Sequence, residues 1–204
     1  MTRKFLALGD SYTIGEGVAA SERWPVQLTE ALRALDVPLT DPRIIAKTGW
    51  TTAELLSAVD SAALTSALDF DLVSLLIGVN DQYRGQTASF AAGFQALVAR
   101  AIAFGAGQPR RLVVISIPDW GVTPFAAGDP RGPEAIGREI DELNRHARHV
   151  AEETGAAFVD VTADSRRVTS DGGLLAEDRL HPSGAMYASW VQIILPAARR
   201  ALGR

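Results

Sequence analysis

Two stretches of the chain show almost no polar alternation: Leu72-Val73-Ser74-Leu75-Leu76-Ile77 and Leu112-Val113-Val114-Ile115-Ser116-Ile117. A strand with one wet face alternates apolar and polar residues, whereas a strand covered on both faces is apolar throughout. These runs, taken as Asp71–Ile77 and Arg111–Ile117, therefore predict strands inside a sheet that carries helices on both sides. Lys4–Leu8, Arg43–Ala46 and Ala157–Val161 are read as three further strands. Helical spacing fills the intervals. Pro25–Leu35 places Val26, Leu28, Leu32 and Leu35 on a helix with a proline in its first turn. Thr51-Thr52-Ala53-Glu54 reads as a capping box opening a helix toward Ala63. Phe90, Phe94, Leu97, Val98 and Ile102 recur at helical spacing, as do Ile136, Ile140, Leu143, Ala147 and Val150. A last helix from about Gly184 to Leu202 puts Trp190, Ile193, Ile194 and Ala197 on one side. Strands alternating with helices predict a parallel sheet. No repeat or linker interrupts the order, so one domain is expected over residues 1–204, with Pro118–Pro133 as its longest loop.

Composition narrows the chemistry. There is no cysteine, which excludes disulfides, thiolate catalysis and cysteine-held metals. A net charge of -4, with basic residues scattered and at most paired, as in Arg110-Arg111, predicts no attraction to nucleic acid or acidic membranes. The apolar run after Met1-Thr2-Arg3-Lys4 is too short for a signal peptide and is broken by Gly9-Asp10. No stretch reads as long and apolar enough to span a bilayer. The expectation is a cytoplasmic protein without stable membrane insertion. His146 and His149 form an i, i+3 pair without a third ligand, so no metal and no cofactor is expected. Gly15-Glu16-Gly17-Val18-Ala19-Ala20 matches a dinucleotide-loop pattern, but such a loop opens directly from a strand into a helix, and here Gly9–Ile14 intervenes.

The polar segments beside the strand ends carry the chemistry. Gly9-Asp10-Ser11, Lys47-Thr48-Gly49 and Gly78-Val79-Asn80-Asp81 follow the first three strands; Asp178-Arg179-Leu180-His181-Pro182 follows the fifth, ahead of the last helix. In a parallel sheet all carboxyl ends share one edge, so these segments can converge. Ser11 supplies a hydroxyl that needs a base to act as nucleophile. His181 supplies an imidazole that can take and return the proton. Asp178 can orient that ring. The N–H of Ser11, the N–H of Gly49 and the side-chain amide of Asn80 are donors for an oxyanion. Singly, Ser11 also reads as a cap, and Gly49 and Asn80 as turn residues. Asp10 and Asp81 read as structural, bonding nearby backbone. Trp50, Tyr83, Trp120 and Phe125 are candidates for pocket wall or for packing, and Trp24 and Trp190 for core. The Gly-x-Ser-x-Gly elbow is absent.

Gly9-Asp10-Ser11-Tyr12, Gly49, Gly78-Val79-Asn80-Asp81 and Asp178-Arg179-Leu180-His181-Pro182 resemble the four blocks of the SGNH hydrolases, also called GDSL lipases/esterases, in the family's order between residues 5 and 190. The resemblance implies α/β architecture: a flavodoxin-like three-layer α/β/α sandwich on a five-stranded parallel sheet of order 2-1-3-4-5. It implies a triad of Ser11, Asp178 and His181 and an oxyanion hole of Ser11, Gly49 and Asn80. Tyr12 stands where leucine is usual, and Arg179 where a small residue is common; both are candidates for the substrate pocket. The implied activity is cleavage of small-molecule carboxylic esters through an acyl-enzyme on Ser11. Acyl transfer to an alcohol, deacetylation of an acylated sugar, and a flavodoxin-like module that binds a nucleotide or phosphate are the alternatives.

Overall fold

The chain winds around five parallel strands in the order β2-β1-β3-β4-β5. The strands are β1 (Phe5–Gly9), β2 (Arg43–Ala46), β3 (Leu72–Leu76), β4 (Leu112–Ile115) and β5 (Ala157–Val159). The fold was obtained as a computed structural model that describes residues 2–62 and 69–204. Met1 and the expected helix end at Ala63 lie outside the described residues. Every residue of β1, β3 and β4 is buried, as their uniform apolar patterns require. The edge strands β2 and β5 are only partly covered, and β2 begins with the exposed Arg43.

Helices cover both faces. On one, α2 (Trp24–Arg33) packs against α8 (Gly184–Ala201). On the other, α3 (Thr52–Ser61), α5 (Thr87–Phe104) and α6 (Pro133–Thr154) pack side by side. The shorter helices α1 (Ser11–Ile14), α4 (Val79–Tyr83) and α7 (Thr162–Ser165) lie beside the carboxyl ends of strands. Trp24 and Trp190 are fully buried core residues. The capping box forms: the Glu54 carboxylate accepts the Thr51 N–H at 2.8 Å and the Thr51 hydroxyl accepts the Glu54 N–H.

Four expectations need correction. Ile193 is 37% exposed, one position off the stripe of Trp190, Ile194 and Ala197 that faces the interior. Helix α5 is by length and composition apolar enough to cross a membrane, with a mean hydropathy of 1.3. Alanines supply much of that value, and Phe90, Phe94, Leu97, Val98 and Ala101 are its buried face. The stretch Pro118–Pro133 is not open loop: it contains two 3-10 turns, Trp120–Val122 and Pro124–Gly128. Finally, Asp178 does not directly follow β5; α7 and two further 3-10 turns, Arg166–Thr169 and Gly172–Leu174, come between.

Register brings the site loops together. Gly9 pairs with Ala46 on one side and Leu76 on the other, so β1, β2 and β3 end on one line. Ser11, Gly49 and Asn80 lie two, three and four residues past it. Gly9 is confined there: a Cβ would sit 2.5 Å from the Leu76 carbonyl oxygen and nearer still to the Thr13 hydroxyl. Gly9→Ala is therefore expected to destabilise the protein by about 2–3 kcal/mol, read by urea unfolding. Gly128→Ala, with no neighbour within 4 Å of the added methyl, is the control and should stay within about 0.5 kcal/mol.

Candidate active site

Ser11 opens α1 directly after β1. The side chain of Asp10 caps the helix by accepting the Tyr12 N–H at 3.0 Å, and Gly15 closes it in the left-handed conformation. Ser11 is buried to 4% exposure. Gly49 sits in the turn Lys47–Trp50 at φ +86, a conformation that favours glycine. Its carbonyl accepts from Nη2 of Arg84, whose Nη1 also reaches Glu54 of the capping box. Asn80 lies in the first turn of α4 rather than in an open turn. Its amide donates to the Trp50 carbonyl at 3.0 Å and, at a long 3.5 Å, to the Asp10 carboxylate. Asp81 ties the two loops together by accepting the Thr52 N–H at 3.0 Å and the Thr52 hydroxyl at 2.6 Å.

Asp178 and His181 share a tight turn, closed by a bridge between Leu175 and Pro182 and by the Ala176 N–H bonding the His181 carbonyl. One Asp178 oxygen accepts the N–H groups of Leu180 and His181, both at 2.9 Å. The other lies 2.6 Å from His181 Nδ1. Burial pushes the Asp178 carboxyl up, but the hydrogen bonds from His181 and Leu180 outweigh it and hold the group below the usual carboxylate range. With Nδ1 engaged, Nε2 is the ring nitrogen left to serve the cavity that His181 lines. The turn forces Arg179 to φ +59, and its side chain is exposed.

Ser11, Gly49, Asn80 and His181 converge on one cavity of about 110 Å³. Of the candidate pocket residues, Tyr12, Tyr83, Trp120 and Phe125 line it and Trp50 and Arg179 do not. Trp50 packs against the core and offers only its carbonyl, to Asn80. The left-handed turn sends Arg179 to solvent and leaves Leu180 on the wall. Sequence reasoning missed Leu180, Val79 and Thr48 as wall residues. No carboxylate, arginine or lysine side chain lines the cavity among the described residues.

The wall is itself supported. Tyr83, Trp120 and Phe125 pack edge-to-face or tilted, with centroids 5.3–6.2 Å apart. The Trp120 indole N–H donates to Gln82 Oε1 at 2.7 Å, and Gln82 is fully buried. Arg131 stacks over Trp120 at 5.5 Å while donating to the Gln82 carbonyl. Gln82 and Arg131 carry no motif, so nothing in the sequence singles them out.

The model of the GDSL-like lipase/acylhydrolase family matches residues 7–188. The chain belongs to this family. Among the solved structures that share its fold are Axe2, TesA and LAE5. Axe2, an acetylxylan esterase from Geobacillus stearothermophilus, superposes with a TM-score of 0.68 at 23% identity, covering 99% of this chain and 94% of its own. TesA superposes at 0.72 with 20% identity, covering 98% and 100%. LAE5, an alpha/beta hydrolase from the metagenome of Lake Arreo, Spain, superposes at 0.69 with 23% identity, covering 98% and 95%. At these identities the likeness bears on the fold, and the order 2-1-3-4-5 with helices on both faces is the one expected. No curated protein sequence matches the chain. As a GDSL acylhydrolase it is an ester-hydrolysing enzyme whose substrates are small-molecule esters.

Beneath the cavity floor Asp10 is wholly buried. Burial, with the charge of Asp81 adding, pushes its carboxyl from 3.8 up to about 7, against the opposing bond from the Tyr12 N–H. Between those values the folded protein keeps a proton that the unfolded chain releases. The contribution of Asp10 to stability therefore falls as pH rises from 4 to 7, by up to about 4 kcal/mol. Asp10→Asn keeps an oxygen for the Tyr12 N–H but cannot ionise. Its unfolding free energy, measured by urea titration at pH 5 and pH 8, is expected to lose most of the decline seen in the wild type.

Proposed function

We propose that the enzyme hydrolyses uncharged carboxylic esters through an acyl-enzyme on Ser11, with His181 as base and Asp178 as its orienting partner. The observation that carries this reading is the 2.6 Å Asp178–His181 contact on the rim of a cavity that also exposes Ser11, Gly49 and Asn80. In the first half-reaction Ser11 Oγ bonds to the ester carbonyl carbon while its proton passes to His181 Nε2. The carbonyl oxygen becomes an oxyanion facing the N–H groups of Ser11 and Gly49 and the Asn80 amide. The bond to the alcohol oxygen then breaks, and His181 returns the proton to the leaving alkoxide. In the second half-reaction water repeats the attack, giving its proton to His181 and then releasing the acid and the serine hydroxyl. Asp178, held ionised, stabilises the imidazolium in each half-reaction.

Only one amide hydrogen of Asn80 is firmly committed, to Trp50; the 3.5 Å approach to Asp10 leaves the second available to an oxyanion. The wall of Val79, Tyr83, Trp120, Phe125 and Leu180 suits an apolar acyl or alcohol group. The same lining argues against a nucleotide- or phosphate-binding module, because it holds no arginine or lysine to pair with phosphate.

Ser11→Ala is expected to lower turnover of p-nitrophenyl acetate by at least about 1,000-fold. Its melting temperature should stay within about 2 °C of the wild type. A fluorophosphonate probe should label the wild type at Ser11 and leave Ser11→Ala unlabelled. Wild-type turnover by the variant, or labelling elsewhere, would remove Ser11 from the reaction.

A further inference from the structure

We propose that Gly15-Glu16-Gly17 is a brace that positions both partners of Ser11, Glu16 holding the Gly49 loop through Thr48 and Gly17 seating the Asp178 turn. This rests on the reading of Ser11, Gly49 and Asp178 given above. The segment matches a dinucleotide-loop pattern, but it does not leave a strand for a helix. It follows the nucleophile's own turn, where the N–H groups of both Gly15 and Glu16 bond to the Ser11 carbonyl at 3.0 Å. Whatever it touches is therefore referenced to Ser11.

It touches the other two parts of the site, the Gly49 loop and the Asp178 turn. The Glu16 carboxylate accepts a hydrogen bond from the Thr48 hydroxyl. Thr48 and Gly49 share the peptide plane that carries the Gly49 N–H. Arg84 holds the far side of Gly49 through its carbonyl. The loop is thus gripped at both ends, and Glu16 is the grip that comes from the Ser11 side. On the other flank Gly17 adopts φ +78 and faces the Asp178 turn without a side chain. A Cβ there would lie 2.8 Å from the Ala176 Cβ and 3.6 Å from Asp178 Oδ2. The closeness of Gly17 is what lets Ala176 and Asp178 rest against the backbone.

Glu16 and Gly17 are positioning residues; neither lines the cavity. The Glu16–Thr48 bond is exposed, so it adds little to stability, and its loss should appear in turnover instead. Glu16→Ala and Thr48→Val are each expected to lower kcat for p-nitrophenyl acetate about tenfold, with KM changed less than about threefold and Tm within about 2 °C. The double variant should be no worse than either single one, because both remove one bond. Glu16→Gln, which keeps an acceptor oxygen, should recover most of the loss.

Gly17→Ala is expected to lower kcat at least about tenfold. Adding Ala176→Gly removes the 2.8 Å approach and should restore most of the activity, while the strained backbone at residue 17 keeps Tm low. Full kcat in Glu16→Ala and Thr48→Val, or additive losses in their combination, would overturn the Glu16 arm. Failure of Ala176→Gly to restore Gly17→Ala would overturn the Gly17 arm. All of these leave the Ser11 reading standing; a fully active Ser11→Ala enzyme overturns that reading itself.

Discussion

The site depends on three strands ending together. Gly9, Ala46 and Leu76 stand side by side across β2, β1 and β3, and the serine, the glycine and the asparagine follow within four residues. That line is held by burial rather than by anything in the site. A slip of one residue would turn every side chain of a strand to the opposite face. Because β1 and β3 are apolar and buried on both faces, their register rests on packing shape and on the ladder bonds. The close approach of Gly9 to Leu76 and Thr13 is one such shape constraint.

What could be read from the chain alone follows from how local each signal is. The buried strands were legible because a run such as Leu112–Ile117 has no polar face to place in water. The paired Asp178 and His181 were legible because three residues of separation suffice to bring them together. The limits were equally physical. Hydropathy cannot tell an alanine-rich helix such as α5 from a membrane span, because both are apolar around much of their surface. The outward turn of Arg179 depends on a backbone angle fixed by hydrogen bonds to Asp178, and no residue type reports it. Gln82 and Arg131 act on the cavity wall through partners 38 and 49 residues away, a distance over which the residue types of a single sequence carry no signal. The long path from β5 to Asp178 was missed because its short turns lack a repeating pattern.

The electrostatic layout separates two layers. The cavity wall carries four aromatic side chains and no carboxylate, arginine or lysine, whereas Asp10 and Asp81, outside that lining, are buried carboxyls. Burial raises both. Each nonetheless accepts a backbone N–H: Asp10 that of Tyr12 in its own turn, where it caps α1, and Asp81 that of Thr52 at the start of α3 behind the Gly49 loop. Asp81 thereby links two loops that the sheet brings near but does not itself connect. The enzyme thus carries a stability cost at neutral pH in the groups that order the loops beside its cavity, a pattern common where structure serves chemistry.

The carboxylate behind His181 is placed differently. The Asp178 side chain is 39% exposed while the imidazole it faces is 8% exposed. A charge open to water is also open to dissolved ions, whose screening at physiological salt acts over about 8 Å. The 2.6 Å contact with His181 lies far inside that length, so dissolved ions leave it almost untouched and weaken instead the pull of this carboxylate on charges farther away.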